Sequence, residues 1–196
     1  MNNNILTAEV LIKGTSSLLW HRFDTEAFLR GRKDKCGTAG NNPDEWKNTV
    51  LVDQNNQLYI EPSYIFGCIR EGAKYTLNGL NTLQNYISAT LHVLNDKILI
   101  DRYLPDIITT NNKESVFLDV RSVRNPSTGA RNIRYRVCSS SGWLAKFLIT
   151  WDRTLISKSE MNAIIIDAGR FSGIGDARNI GYGRFKIDCF EVVNNA

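Results

Sequence analysis

Histidine is scarce in this chain, 2 in 196 residues, and the 4 cysteines, Cys36, Cys68, Cys138 and Cys189, stand singly with no C-x-x-C pair. Neither a zinc site nor a disulfide framework is built from so little, so free thiols in a reducing compartment are expected, with no metal and no cofactor. Paired carboxylates at metal-ligand spacing and a nucleophile elbow are missing too. No run approaches the ~18 apolar residues of a membrane span. The opening MNNNILTAEV has no basic region followed by an apolar stretch, so neither a leader nor a membrane partner is expected, and the location reads as cytoplasmic.

What is present suffices for one core. Hydrophobic residues make up 42% of the chain and no shift in composition marks a second domain, so residues 1–196 read as a single domain. The formal charge of +4 permits a polyanionic partner without requiring one. How that charge is distributed decides between the two.

Leu6, Ala8, Val10 and Ile12 alternate with Thr7, Glu9 and Lys13, predicting a half-buried first strand in which Leu11 is the exception. The segment EPSYIFGCIREGAKY opens with Pro62 where a helix tolerates proline, and repeats Ile65, Phe66, Ile69 and Ala73 at helical spacing. Arg70 and Lys74, four apart, share another face. Strand-like runs follow at 97–100, 115–120, 135–137 and 143–151, with Trp143 and Trp151 bracketing the last as core aromatics. Ser157 and Glu160 have capping-box spacing, predicting a second helix of about three turns. Phe185, Ile187 and Cys189 then alternate against Lys186 and Asp188 in a final strand. Strand, helix, strands, helix, strand is the order of an α+β, ferredoxin-like (RRM-like) βαββαβ core, an architecture shared by many RNA-binding modules.

Two stretches lie outside that core. GRKDKCGTAGNNPDEWKN, 31–48, is polar and without periodicity, and is expected to be a mobile surface loop. LDVRSVRNPSTGARNIRYRV, 118–137, places turn chemistry between two extended arms, an inserted basic hairpin. Its arms carry Arg121, Arg124, Arg131, Arg134 and Arg136, with no acid after Asp119. Guanidinium groups on a projecting ribbon contact phosphates in a forked geometry and stack on bases, with Tyr135 as a flat partner. A solvated edge hairpin that merely resists aggregation is the plainer alternative.

FSGIGDARNIGYGRFKI sets glycines at 173, 175, 181 and 183 around Arg178, Tyr182 and Arg184. It is no dinucleotide fingerprint, because G-x-G-x-x-G fails at Arg178, and no Gly-Lys-Ser/Thr follows to make a P-loop. Glycines let a backbone approach a phosphate or sugar edge with its N–H groups outward; Arg178 and Arg184 would add charge and Tyr182 a stacking face. A tight connection into a central strand explains the same glycines, and both readings stand at this point.

The form G-x-G-x(5)-G-x-G over Gly173, Gly175, Gly181 and Gly183, between the last helix and the last strand, resembles the signature of the RAMP superfamily of CRISPR-associated proteins, whose members carry ferredoxin-like domains. QLYIEPSYIFGCIREGAKY, 57–75, is similar to a second segment of these proteins, matching at Tyr59, Ile60, Pro62, Ser63, Gly67 and Arg70, with Glu61 intruding and one glycine after the proline missing. GTSSLLWHRF after the first strand also fits. Within the superfamily the backbone subunits that polymerise along guide RNA, Cas family seven-like, are most similar, and 118–137 looks like their thumb. The resemblance implies that Arg22, Arg70, Lys74, the thumb residues Arg121, Arg124, Arg131, Arg134 and Arg136, and the loop from Gly173 to Arg184 contact the guide backbone. It implies guide RNA, a single-stranded target RNA or DNA, further copies of the chain and other effector subunits as partners. A phage- or plasmid-borne relative that binds single strands outside an effector stays open.

Other classes remain. Guide-processing members of the superfamily use a histidine in metal-independent RNA cleavage, and His21, beside Arg22 and Asp24, is the candidate acid or base; a plain hydrogen-bonded residue at a strand end is the alternative. Certain target-cleaving subunits use an acid after the first strand, where Asp24, Asp34, Asp44 and Glu45 lie. A small-molecule or protein-interaction domain, in which the basic residues only solubilise, is the third class.

Overall fold

A computed structural model of the chain describes residues 4–22, 43–79, 81–124, 127 and 129–193. Asp24, Asp34, Cys36 and most of the expected mobile loop lie outside the described residues. In chain order the elements are β1 (Ile5–Gly14), β2 (Leu18–Leu19), α1 (Glu45–Thr49), β3 (Gln57–Ile60), α2 (Pro62–Gly72), β4 (Leu77–Asn78), β5 (Asn81–Thr82), α3 (Gln84–Thr90), β6 (His92–Val93), β7 (Ile98–Tyr103), β8 (Val116–Arg124), β9 (Arg131–Ser139), β10 (Leu144–Asp152), α4 (Lys158–Asp167) and β11 (Phe185–Val193).

The main sheet runs β11-β1-β10-β7-β3, with β6 also on β10, and its pairings are antiparallel. β1, β7, β10 and β11 bracket α2 and α4 in sequence, and in space the last and third of these strands flank the first. That is the ferredoxin-like arrangement, a mixed α+β fold widened by the edge strand β3. Ala8, Val10 and Ile12 of β1, Phe147 and Ile149 of β10, Ile65 and Ile69 of α2, and Met161 and Ile164 of α4 join one buried cluster. Each of these valine, isoleucine, phenylalanine and methionine side chains contributes roughly 1.5–3 kcal/mol by leaving water. Leu11 points to the other face and is half-buried.

Local rules account for the ends of these elements. Pro62 sits at the first position of α2, where the missing N–H has no intrahelical acceptor anyway. Ser157 caps α4: its Oγ accepts from the Glu160 N–H at 3.2 Å while its own N–H donates to Glu160 Oε2 at 2.7 Å. The three indoles at Trp20, Trp143 and Trp151 are buried, and each donates to a backbone carbonyl, of Tyr59, Ser16 and Ile156 respectively. Two expectations need correction. The last strand does not alternate throughout: a bulge opposite Leu11 and Ile12 turns Cys189 away from the core and brings Phe190 and Val192 into it after Ile187. The end of the 31–48 stretch is a one-turn helix, α1, because Glu45 has partners on β9.

The inserted hairpin is β8 and β9, in register from Val116 opposite Ser139 to Arg124 opposite Arg131. β2 extends it at its base through Leu18 and Leu19. No described helix is long and apolar enough to cross a membrane. Ser157→Ala is expected to cost about 1 kcal/mol and, in a chain of this size, to lower the melting temperature by about 2–4 °C. Thermal denaturation followed by circular dichroism checks this; an unchanged melting point would mean that α4 does not depend on its cap.

Candidate nucleic-acid interface

α4 does not end cleanly. It continues as a π-helical turn, Ala168–Ser172, and the glycine loop follows, folding back against β2 and the first residues after β1. Gly175 and Gly183 both have positive φ, 78° and 68°, and a Cβ at Gly183 would lie 1.8 Å from the Ile174 carbonyl oxygen and one at Gly175 2.6 Å from that of Leu19. Only glycine fits either place. The loop's amides are largely spent inside the protein: Ile174 donates to Gly183, Asp176 to Leu19, Tyr182 to Ala177 and Gly183 to Ser17. The expectation of a ring of outward N–H groups is therefore corrected, since closing the loop on itself and on β2 consumes these donors. The loop offers a ligand side chains instead.

Those side chains form one wall of a groove whose other wall is α2. A cleft of about 240 Å³ holds His21, Ser63, Tyr64 and Arg178, and it continues into one of about 590 Å³ that holds Arg70, Arg184, Tyr75 and Phe171. Gly67, Gly175, Asp176 and Arg178 line both. Gly67 lies mid-helix, yet no heavy atom sits within 4 Å of where its Cβ would be, so the missing side chain is the space of the groove. Two carboxylates line it as well, but both are engaged: Glu71 with Lys74 at 2.8 Å and Asp176 with Arg136 at 2.7 Å. Arg70, Arg178 and Arg184 are left in excess, and the buried Nη1 of Arg184 has no partner. Burial holds the Tyr64 phenol above its ordinary pKa and pushes the Cys68 thiol behind α2 up to about 12, so both stay neutral near neutral pH.

The hairpin arginines separate into two groups. Arg136 is buried, with Nη1 on Asp176 at 2.7 Å and Nη2 on Asp119 at 3.1 Å. Asp119 also accepts from Arg121 Nε at 2.7 Å, and the Arg121 guanidinium stands 5.0 Å from the Tyr182 ring centre. Arg134 pairs with Glu45. The hairpin sequence shows no acid after Asp119, but the fold imports Glu45 and Asp176 from elsewhere, so Arg121, Arg134 and Arg136 are tied down. Arg121 thus occupies one face of the Tyr182 ring. Arg124 and Arg131 differ: they face each other across the end of the hairpin, exposed, and no acid among the described residues pairs with either.

Arg70 lines the groove and its Nε donates to Ser88 Oγ at 2.9 Å, whereas Lys74 lies past the end of α2 and is held by Glu71. Arg22 donates its backbone N–H to Thr49 and lies close enough to act on Tyr64 electrostatically. His21 faces the smaller cleft with its buried Nδ1 unpartnered, while Asp44 pairs with Lys47 at 2.7 Å. Gly181 has a positive φ of 96° and donates its N–H to the Arg178 carbonyl, and a Cβ there would meet only open space. Among the described residues no group of three or more histidines, cysteines or carboxylates is placed to hold a metal. The sequence reading missed Gly67 as the groove floor and the pair Tyr75 and Phe171, which meet only in the fold.

No family model and no curated protein matches the chain. Solved structures do. A Type III-B Cmr-beta bound to cognate target RNA, determined by cryo-EM, is similar over 98% of this chain at 16% identity with a TM-score of 0.57. The chain has the fold of a Cmr subunit. Cmr6 from Pyrococcus furiosus is similar over 95% of this chain and 99% of its own, at 12% identity with a TM-score of 0.50. The chain spans 62% of the length of the Cmr-beta chain it matches. At identities of 16% and 12% both likenesses are in fold alone.

Arg136→Ala is expected to destabilise the protein by about 3 kcal/mol, because the buried Asp119 keeps only Arg121 and Asp176 loses its cation. The double change Arg124→Ala, Arg131→Ala is expected to leave stability within about 0.5 kcal/mol. Urea unfolding separates the two; equal midpoints for all three proteins would deny Arg136 its structural part.

Proposed function

We propose that this chain is an RNA-binding subunit of a CRISPR-type ribonucleoprotein effector, holding single-stranded guide RNA in the groove between α2 and the glycine loop. The observation that carries the proposal is the excess of guanidinium groups along that groove: Arg70, Arg178 and Arg184 line it while its two acids are already paired. The Cmr-like fold supports the reading, as one of its neighbours was solved with target RNA bound. Arg124 and Arg131 fit it as well. Like charges directly opposite on a hairpin are destabilising, and a phosphate between them would remove the repulsion.

On this reading the hairpin is the thumb of a backbone subunit, several copies assemble along one guide, and the guide is presented for pairing with a target strand. The contacts are to phosphate and sugar, so affinity is indifferent to base sequence and falls steeply with salt. A second reading, a metal-independent endoribonuclease, is favoured by one observation: the His21 imidazole faces the cleft beside Tyr64 and Arg178 with a nitrogen free of partners. His21→Ala with binding retained and cleavage lost would establish it.

Two measurements test the main proposal. Anisotropy titrations with labelled single-stranded RNA should show Gly67→Leu losing affinity by about tenfold or more, with stability unchanged or raised by up to about 1 kcal/mol. Arg178→Ala should flatten the logarithmic salt dependence by about 0.7. Light scattering on strands of graded length should show mass rising by one protomer per fixed increment of nucleotides. Tight binding by Gly67→Leu would place the RNA outside the groove, and a mass that never exceeds one protomer would remove the backbone role.

A further inference from the structure

Tyr75, just after α2, and Phe171, in the π-helical turn after α4, are brought together at the wide end of the groove. Their ring centres are 4.9 Å apart and the planes are tilted by 48°, so neither ring covers the other. Both stay exposed, at 52% and 43%. Aromatic surface left exposed gains nothing for folding, and π-helical turns are frequent at functional sites. Here that turn carries Phe171 toward Tyr75, while Thr76, next to Tyr75, anchors the segment by donating its Oγ1 proton to Asp167 Oδ2 at 2.8 Å.

The surroundings define the occupant. Arg70, Arg178 and Arg184 line the same cavity, and the Arg170 guanidinium stands 5.1 Å from the Phe171 ring centre. The buried Arg184 Nη1 lacks an acceptor, which an anionic oxygen would supply. An apolar protein segment would meet an excess of cations here, and a free phosphate would leave the rings unused. A nucleotide uses both, since its base has a flat face and its linkage a charge.

We propose that Tyr75 and Phe171 form a platform for one unstacked base of a single-stranded RNA, whose flanking phosphates lie against Arg70, Arg178 and Arg184. The proposal rests on the groove being the RNA site and adds to it a non-electrostatic contact at a fixed place along the strand. The platform accepts any base, because each has a π-face, so it positions the strand without reading its sequence.

The test uses the whole chain and single-stranded RNA carrying one 2-aminopurine, moved along the strand. Bound to the unaltered protein, the probe's emission should be quenched at a stacked position and restored in Tyr75→Ala, Phe171→Ala. Affinity in that variant should fall by about tenfold or more, with the salt dependence unchanged because no charge is removed. Tyr75→Leu, Phe171→Leu, which keeps the apolar bulk, should show the same loss of quenching and guards against a misfolded alanine variant. Affinity and quenching equal to those of the unaltered protein in both variants overturn the platform while leaving the groove proposal intact. An altered protomer mass with unaltered affinity also overturns it, making the rings a protein contact. Failure of the unaltered protein to bind the RNA overturns the groove and the platform together, and retained binding in Gly67→Leu does the same.

Discussion

Arg136 is the residue on which the arrangement of the charged surface depends. Its guanidinium lies buried between Asp119 on β8 and Asp176 in the glycine loop, so a single side chain joins the hairpin to the loop that forms one wall of the groove. Removing a charge from water is costly, and here two carboxylates within hydrogen-bond reach offset the cost. Directionality adds to the energy: a planar guanidinium fork donates to its carboxylates only in one plane, which limits how the hairpin can turn about its base. Arg121, held by Asp119 and stacked over Tyr182, adds a second link between the same two elements.

The groove follows from that bracing together with two kinds of glycine. Gly175 and Gly183 let the loop press against β2 and against itself, which sets the wall; Gly67 omits a side chain from α2, which leaves the space. The acids near the groove are committed to cations that do not face it, Lys74 and Arg136, so the field inside it is positive although the chain as a whole carries only +4. Local placement of charge, not its total, makes the surface suited to a polyanion.

Much of the architecture was legible from residue order. The alternation in 5–14, the proline at the start of α2 and the Ser157–Glu160 cap are local signals, governed by neighbours one to four positions away, and the folded chain keeps all three. The two arms of the hairpin were also legible. Less so was the hairpin's chemistry: along the chain no acid follows Asp119, whereas in space Glu45 reaches Arg134 and Asp176 reaches Arg136. The periodicity of the last strand broke for a comparable reason, because a bulge is set by the partner strand as much as by the strand itself.

By itself the sequence determined the order of the core strands and of the two core helices, the glycine loop, and through these the ferredoxin-like core and its RAMP resemblance. Periodicity, caps and turn chemistry act over a few residues, and they survive whatever the rest of the chain does. Only the tertiary structure decided which cations are available to a ligand, since Arg136 meets Asp176 from 40 positions away and Arg134 meets Glu45 from 89. The open groove beside Gly67 and the meeting of Tyr75 with Phe171 were settled at the same level, because each requires α2 and the segment after α4 to be packed side by side before its geometry exists.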